Sequence, residues 1–370
     1  MKPKIVYLDH VKVLMTVLVI LHHVVITYGG PGGWYYRHPA TGKAPILLMT
    51  LFVSTNQSFF MGLFFLLSAY FIESSLQRKG IRAFVKDRLI RLGIPMVFYS
   101  FVLSPVMIYL VYHFGYGKPA TFLQFLGGFD DWIDFGVLWF AAALLLFTIV
   151  FVIVHQVTGG GGIAVSRLSP GKIVLFALGL GAVTFFVRLV FPVGWVLKPP
   201  GFQLGHFPQY ISLFIFGILA RRGDLAEHLE LPTAKLFTRL AVGLVVIGFP
   251  LLGYMQEYFH DPAANFNGGW NRENLAYSFY EQLLGISIMV ALTGISRYKW
   301  NQPSTLLTTL SRSAFAAYIF HPLVVIGLSL LVRGLNEPLP ELAIVAPGSV
   351  IGTFLLAGWL VKIPGLNKII

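Results

Sequence analysis

FGVLWFAAALLLFTIVFVIVHQVTGGGGIAVS, residues 135–166, contains no Asp, Glu, Lys or Arg. Crossing a hydrocarbon core about 30 Å thick takes a helix of about 20 apolar residues, so this stretch is long enough to span a bilayer. The same criterion selects 13–28, 44–72, 92–117, 173–187, 199–220, 240–256, 274–296 with Glu281 as its one charge, 313–332 and 342–361. Their apolar runs are continuous and do not alternate as the strands of a membrane barrel do, so the class is all-α. The sequence therefore predicts a polytopic membrane protein with about ten transmembrane helices, forming one domain over residues 1–370.

Composition agrees. Of the 370 residues 56% are hydrophobic and 11% charged, with a mean hydropathy of +0.75, which exceeds what a water-soluble globule carries. With ten crossings and the N-terminus inside, twenty of the 27 Lys and Arg residues fall in cytoplasmic loops and seven outside. That asymmetry is the one topogenesis imposes, and it predicts cytoplasmic N- and C-termini. The net charge of +12 is scattered over these loops, so it calls for no nucleic-acid partner. The first segment follows Lys2 and Lys4 as a signal peptide would, but it has no Ala-x-Ala-like exit and is expected to remain as a helix.

Several chemistries are excluded. The chain has no cysteine, hence no disulfide, no thiolate nucleophile and no Cys-based metal site. It has neither a Gly-x-Ser-x-Gly elbow nor a His-Glu-x-x-His pair, and the glycine run before Lys172 fails as a phosphate loop because Ser166 and Ile173 stand at its two ends. The outer loops 29–43 (GGPGGWYYRHPATGK) and 115–134 are rich in glycine and aromatics; they either cap a site opening outward or form an interfacial belt.

Catalytic groups must then lie within the helices, where titratable side chains are costly and mark function or interhelical pairing. His22 and His23 lie deep in the first span. The eleven residues from Lys12 to His23 advance about 16 Å and return to within about 20° of the same helix face. A cation at the cytoplasmic mouth and an imidazole deep in the membrane match an acyl-CoA, whose anionic head is joined by a thin arm to a reactive thioester. The imidazole would take the proton of an acceptor hydroxyl as general base; the alternative is that His23 only bonds a neighbouring helix.

Lys12 followed after ten residues by His23 resembles the Arg/Lys-x10-His motif of the bacterial acyltransferase 3 family. FFLLSAYFI at 64–72 is similar to the family's Phe-Phe-x-x-Ser-Gly-Phe-Leu-Ile helix, with Ala69 in place of glycine. Arg88-Leu-Ile-Arg91 before Pro95, Leu138-Trp139-Phe140, and Ser313-x4-Tyr318-x2-His321 resemble further family motifs, in order. The resemblance implies ten helices, O-acylation of a glycan or glycolipid hydroxyl by acetyl or succinyl from acyl-CoA, an essential His23, and the bacterial cytoplasmic membrane as the site of action. It needs no permanently bound cofactor and no metal.

Lys12, Arg88, Arg91, Tyr318 and His321 are expected to bind the donor. For Arg88 and Arg91 the alternatives are topology and anionic lipid; for Tyr318 and His321 the alternative is helix glue. Asn56, Gln57 and Trp139 are expected at the substrate cavity, although the two amides can equally bond across helices. Glu281 sits at the depth of His23, counted from the outer helix ends, and is expected either to support its cationic form or to pair with a neighbour that only joins helices. A transporter using the same intramembrane groups is the rival function; oligomeric state is left open.

Overall fold

The computed structural model describes residues 5–259, the last by its backbone alone, and 265–370. Among the described residues there is no strand beyond an isolated bridge between Leu197 and Phe202. Among the described residues, nine helical segments are long and apolar enough to cross a membrane: α1 (Val6–Thr27), α2 (Lys43–Lys79), α3 (Ile81–Gly115), α4 (Gly136–Thr158), α5 (Pro170–Arg188), α7 (Leu231–Tyr258), α8 (Arg272–Lys299), α9 (Thr305–Leu335) and α10 (Pro338–Leu360). Between α5 and α7 lies α6 (Phe207–Arg222), whose 16 residues are extended by a 3-10 turn at Leu204–His206. Together they reach about 28 Å. The sequence-expected ten are therefore all present, one of them shorter than the rest.

Contacts between helix ends gather the start of α1 and the ends of α2, α6 and α8 on one face, and the ends of α3 and α9 with the start of α10 on the other. On the face rich in Lys and Arg, Tyr7 donates to the Ala226 carbonyl (3.1 Å), His10 Nδ1 meets the Trp300 carbonyl (2.7 Å), Arg297 donates to the Leu229 carbonyl (2.7 Å), and Arg222 forks onto Glu73 (2.7–3.2 Å). On the opposite face His38 pairs with Glu341 at 2.9 Å and Arg333 donates to the Gly115 carbonyl at 3.3 Å.

Small residues set how closely the helices approach, as expected where lipid supplies no hydrophobic drive between them. A Cβ on Gly62 would lie 2.5 Å from Gln209, one on Gly217 would lie 2.4 Å from the Leu66 carbonyl, and one on Gly285 would lie 1.9 Å from the Ser58 carbonyl. Ala69 packs at the Gly217 contact. The close crossing that glycine would allow in α2 is thus provided from α6, which explains why alanine fits at 69.

Proline shapes the remaining helices. The π-turns Leu89–Gly93, Tyr99–Leu103 and Leu244–Gly248 are each followed two residues later by a proline: Pro95, Pro105 and Pro250. A proline has no N–H for the carbonyl four residues back, and a locally widened turn accommodates the gap. In α9 the same absence at Pro322 has a chemical use.

Candidate active site

The helix α1 is continuous from Val6 to Thr27, so the face shared by Lys12 and His23 exists as the spacing predicts. Adjacent residues on a helix point about 100° apart, and the two histidines accordingly have different surroundings. His22 is buried, stacked on Phe60 with centroids 4.9 Å apart, and its Nδ1 accepts from Asn56 Nδ2 at 3.2 Å. The same amide donates to the Leu18 carbonyl at 3.2 Å. Asn56 therefore joins α2 to α1 through His22, and it also lines a cavity with Leu18, Thr55 and Phe59.

His23 faces α9. Its Nδ1 lies 2.9 Å from His321 Nε2, and the two rings stack at 5.0 Å. His321 Nδ1 lies 2.7 Å from the carbonyl of Tyr318. That carbonyl is without its usual helical donor because residue 322 is proline. A carbonyl only accepts, so His321 Nδ1 carries a proton, and in a neutral ring Nε2 is then bare. Nδ1 of His23 must in turn be the donor, which leaves Nε2 of His23 with a free lone pair. Two fully buried residues, His321 and Pro322, thus fix the tautomer of a third that can act as a base.

The loop between α1 and α2 folds inward. Trp34 stacks flat on His23, with centroids 4.1 Å apart and planes within 17°, and lies parallel to His321 at 6.2 Å. Of the two sequence readings of this loop, the inward one describes Trp34. Nothing in the sequence singled out this tryptophan from its neighbours.

The other expected site residues divide. Gln57 Nε2 donates to the hydroxyl of Tyr210 at 3.1 Å, and Trp139 stacks on that tyrosine at 5.6 Å, so two of the three cavity residues meet on one ring the sequence analysis did not select. Tyr318 donates its hydroxyl to the carbonyl of Val137, at the turn that starts α4, and so ties α9 to α4. Lys12 pairs with Asp9 at 3.3 Å and lies over the Phe71 ring at 5.2 Å. Arg91 pairs with Asp87 at 3.3 Å. Arg88 lies over Phe84 at 5.1 Å with a buried Nε that has no partner. Each cation is met within its own helix, except that Lys12 also touches the end of the 64–72 motif.

The direct partnership expected between Glu281 and His23 does not occur. The carboxylate of Glu281 is buried and accepts from Arg188 Nη2 at 2.5 Å and Gln282 Nε2 at 3.3 Å, while Arg188 Nη2 also donates to His206 Nδ1 at 3.3 Å. Matching depth along two helices does not fix the direction in which a side chain points. Arg188, counted with the outer basic residues by sequence, has no exposed surface; it ends an uncharged span, and only its side-chain direction shows that it turns inward. The set continues through Gln282 and Gln209 to the Ser58 carbonyl (2.8 and 2.7 Å). It clamps α5, α6, α8 and the break in α2. An apolar cleft lined by Leu8, Tyr70, Phe216, Met289 and Thr293, with Lys172 at its rim, lies on the basic-rich side. Its lining is almost wholly apolar.

A family model described as an acyltransferase domain matches residues 5–358, essentially the whole chain. No curated protein and no solved structure matches it.

Proposed function

The chain belongs to the acyltransferase 3 family, and from that premise we propose that this multi-pass membrane acyltransferase moves a short acyl group, acetyl or succinyl, from acyl-CoA to a hydroxyl of a glycan or glycolipid at the bacterial cytoplasmic membrane. The observation that carries this reading is the proton chain from His23 through His321 to the carbonyl of Tyr318 (2.9 and 2.7 Å). It presents Nε2 of His23 as a general base.

In the reaction, Nε2 takes the proton of the acceptor hydroxyl as its oxygen attacks the thioester carbonyl. The C–O bond forms, the C–S bond breaks, and the imidazolium returns its proton to the departing thiolate, so protons balance without outside help. Lys12, about 16 Å away along α1, would meet the nucleotide phosphates, with Arg88 and Arg91 as further cationic contacts on the cytoplasmic side. The burial of Arg188 with Glu281 is accounted for as a clamp between helices and takes no part in the transfer.

The test uses purified full-length chain with acetyl-CoA and a glycolipid extract of the producing cells. His23→Ala is expected to lower transfer by about 10² to 10⁴, the usual worth of a general base, while His22→Ala retains most of it. Equal losses in two folded variants would refute the assignment. The mass gained by the glycan identifies the acyl group.

A further inference from the structure

A general base becomes a cation at the moment of reaction, and in many enzymes a carboxylate stabilises that cation. Here Glu281, the carboxylate nearest in expected depth, is committed to Arg188 and Gln282. The His23 ring stacks on Trp34 at 4.1 Å and His321 at 5.0 Å, with His22 at 5.5 Å edge-on, and it also hydrogen-bonds the backbone at Val19 of its own helix. The lone pair of His321 Nε2, accepting from His23 Nδ1, already favours the imidazolium, and among the described residues no carboxylate joins it there. The indole face adds to that support.

We propose that Trp34 is a positioning residue of the transfer reaction, whose indole face holds and stabilises the protonated form of His23. The proposal rests on His23 being the base. An indole presents negative quadrupole density above its plane, and a cation over that face gains most when the pair is shielded from water. With centroids 4.1 Å apart and planes 17° apart, the imidazole lies face to face with the indole. Stacking of two neutral rings is weak by comparison, so the contact strengthens as His23 takes its proton. An interaction that grows toward the transition state accelerates the chemical step instead of merely binding the enzyme's ground state.

The loop is built to keep Trp34 in place. The N–H of His38 donates to the Thr27 carbonyl (2.8 Å) and that of Ala40 to the Tyr28 carbonyl (2.9 Å). Arg37 donates to the carbonyls of Gly30 and Gly32 (both 3.1 Å), His38 pairs with Glu341, and the Tyr35 hydroxyl bonds that of Tyr99 (2.8 Å). Gly29 and Gly32 adopt φ of +131° and +132°, which side chains other than glycine rarely tolerate. These anchors flank Trp34 on both sides. Its own Nε1 is buried with no partner, so the indole is held by packing and stacking and by no hydrogen bond of its own.

The test reads His23 directly, without substrate. Diethyl pyrocarbonate modifies neutral imidazole, and its rate at His23 against pH, followed by peptide mass spectrometry on the purified full chain in nanodiscs, gives the midpoint of His23 titration. Trp34→Leu is expected to lower that midpoint by about one pH unit, a tenfold loss of cation stabilisation, and Trp34→Phe by about half as much. Turnover with acetyl-CoA and the glycolipid extract should fall in the same order, with KM for acetyl-CoA unchanged, and Trp34→Tyr should lie closest to wild type. Admission of water in place of the indole would instead raise the midpoint, because water solvates the imidazolium. A raised or unmoved midpoint in Trp34→Leu, or equal effects of Phe and Leu, overturns the proposal; if the Leu variant fails to fold, the Phe and Tyr variants carry the same comparison. Should His23→Ala retain full turnover, the base assignment itself falls, whatever the Trp34 variants do.

Discussion

Replacing Pro322 by alanine separates the role of a proline in chemistry from its role in shape. In α9 the residue at 322 would normally donate its N–H to the carbonyl of Tyr318, and proline cannot. His321 Nδ1 takes that acceptor at 2.7 Å. In Pro322→Ala the new N–H competes for the same carbonyl, so His321 loses part of a hydrogen bond worth about 0.5–1.5 kcal/mol net. With a factor of ten for each 1.4 kcal/mol, turnover is expected to fall by up to about 2- to 12-fold, as His321 spends more time with Nε2 protonated and Nδ1 of His23 without its acceptor. Helix stability moves the other way: proline inside a helix costs up to about 3 kcal/mol relative to alanine, so the variant should melt at the same temperature or higher. Thermal unfolding in nanodiscs, paired with acetyl-CoA turnover per folded molecule, measures both. His321→Ala, which removes the acceptor altogether, should lose more than Pro322→Ala and less than His23→Ala. Full turnover in a folded Pro322→Ala protein would refute the tautomer lock.

Two other outcomes follow from the clamp and the basic loop. Glu281→Gln leaves Arg188 buried and unpaired, so it should cost about 3–5 kcal/mol of stability while turnover per folded molecule stays within about twofold; the double change Glu281→Leu with Arg188→Met should recover much of the stability, and a turnover loss in fully folded Glu281→Gln protein would restore a catalytic role to the carboxylate. Reversing Arg88 and Arg91 to Glu should weaken CoA binding measured by calorimetry, with an effect that shrinks as salt rises. Unchanged affinity would leave these arginines to topology and lipid.

The membrane architecture was legible because the bilayer imposes one rule on every segment: enough consecutive apolar residues to cross. Length and charge count suffice for that, and the ten stretches reappear as helices, with ends displaced by up to eleven residues. The segment at 199–220 is the instructive departure. Its first residues form a bridge and a 3-10 turn, and the helix proper begins at Phe207. Hydropathy records where apolar residues are tolerated, whereas the helix start depends on turn residues and on Pro208 at its first turn.

The site was legible to a different degree, and the limit is geometric. Spacing along one helix is an arithmetic of 100° per residue, so Lys12 and His23 were placed on one face and His22 on another, as found. Partnerships between helices depend on rotation of each helix about its axis, which no single segment encodes. Glu281 and His23 share a depth and face different neighbours. Tyr318 and His321 share a helix turn, yet one hydroxyl reaches Val137 and the other ring reaches His23. What the sequence did contain, without its meaning being drawn from it, is Pro322 directly after His321. A proline inside a transmembrane helix frees the carbonyl four residues back, and a histidine three residues beyond that carbonyl can reach it with Nδ1. The pattern Tyr318-x-x-His321-Pro322 therefore specifies a tautomer, and with it the nitrogen that His321 turns toward its partner, before the partner is known.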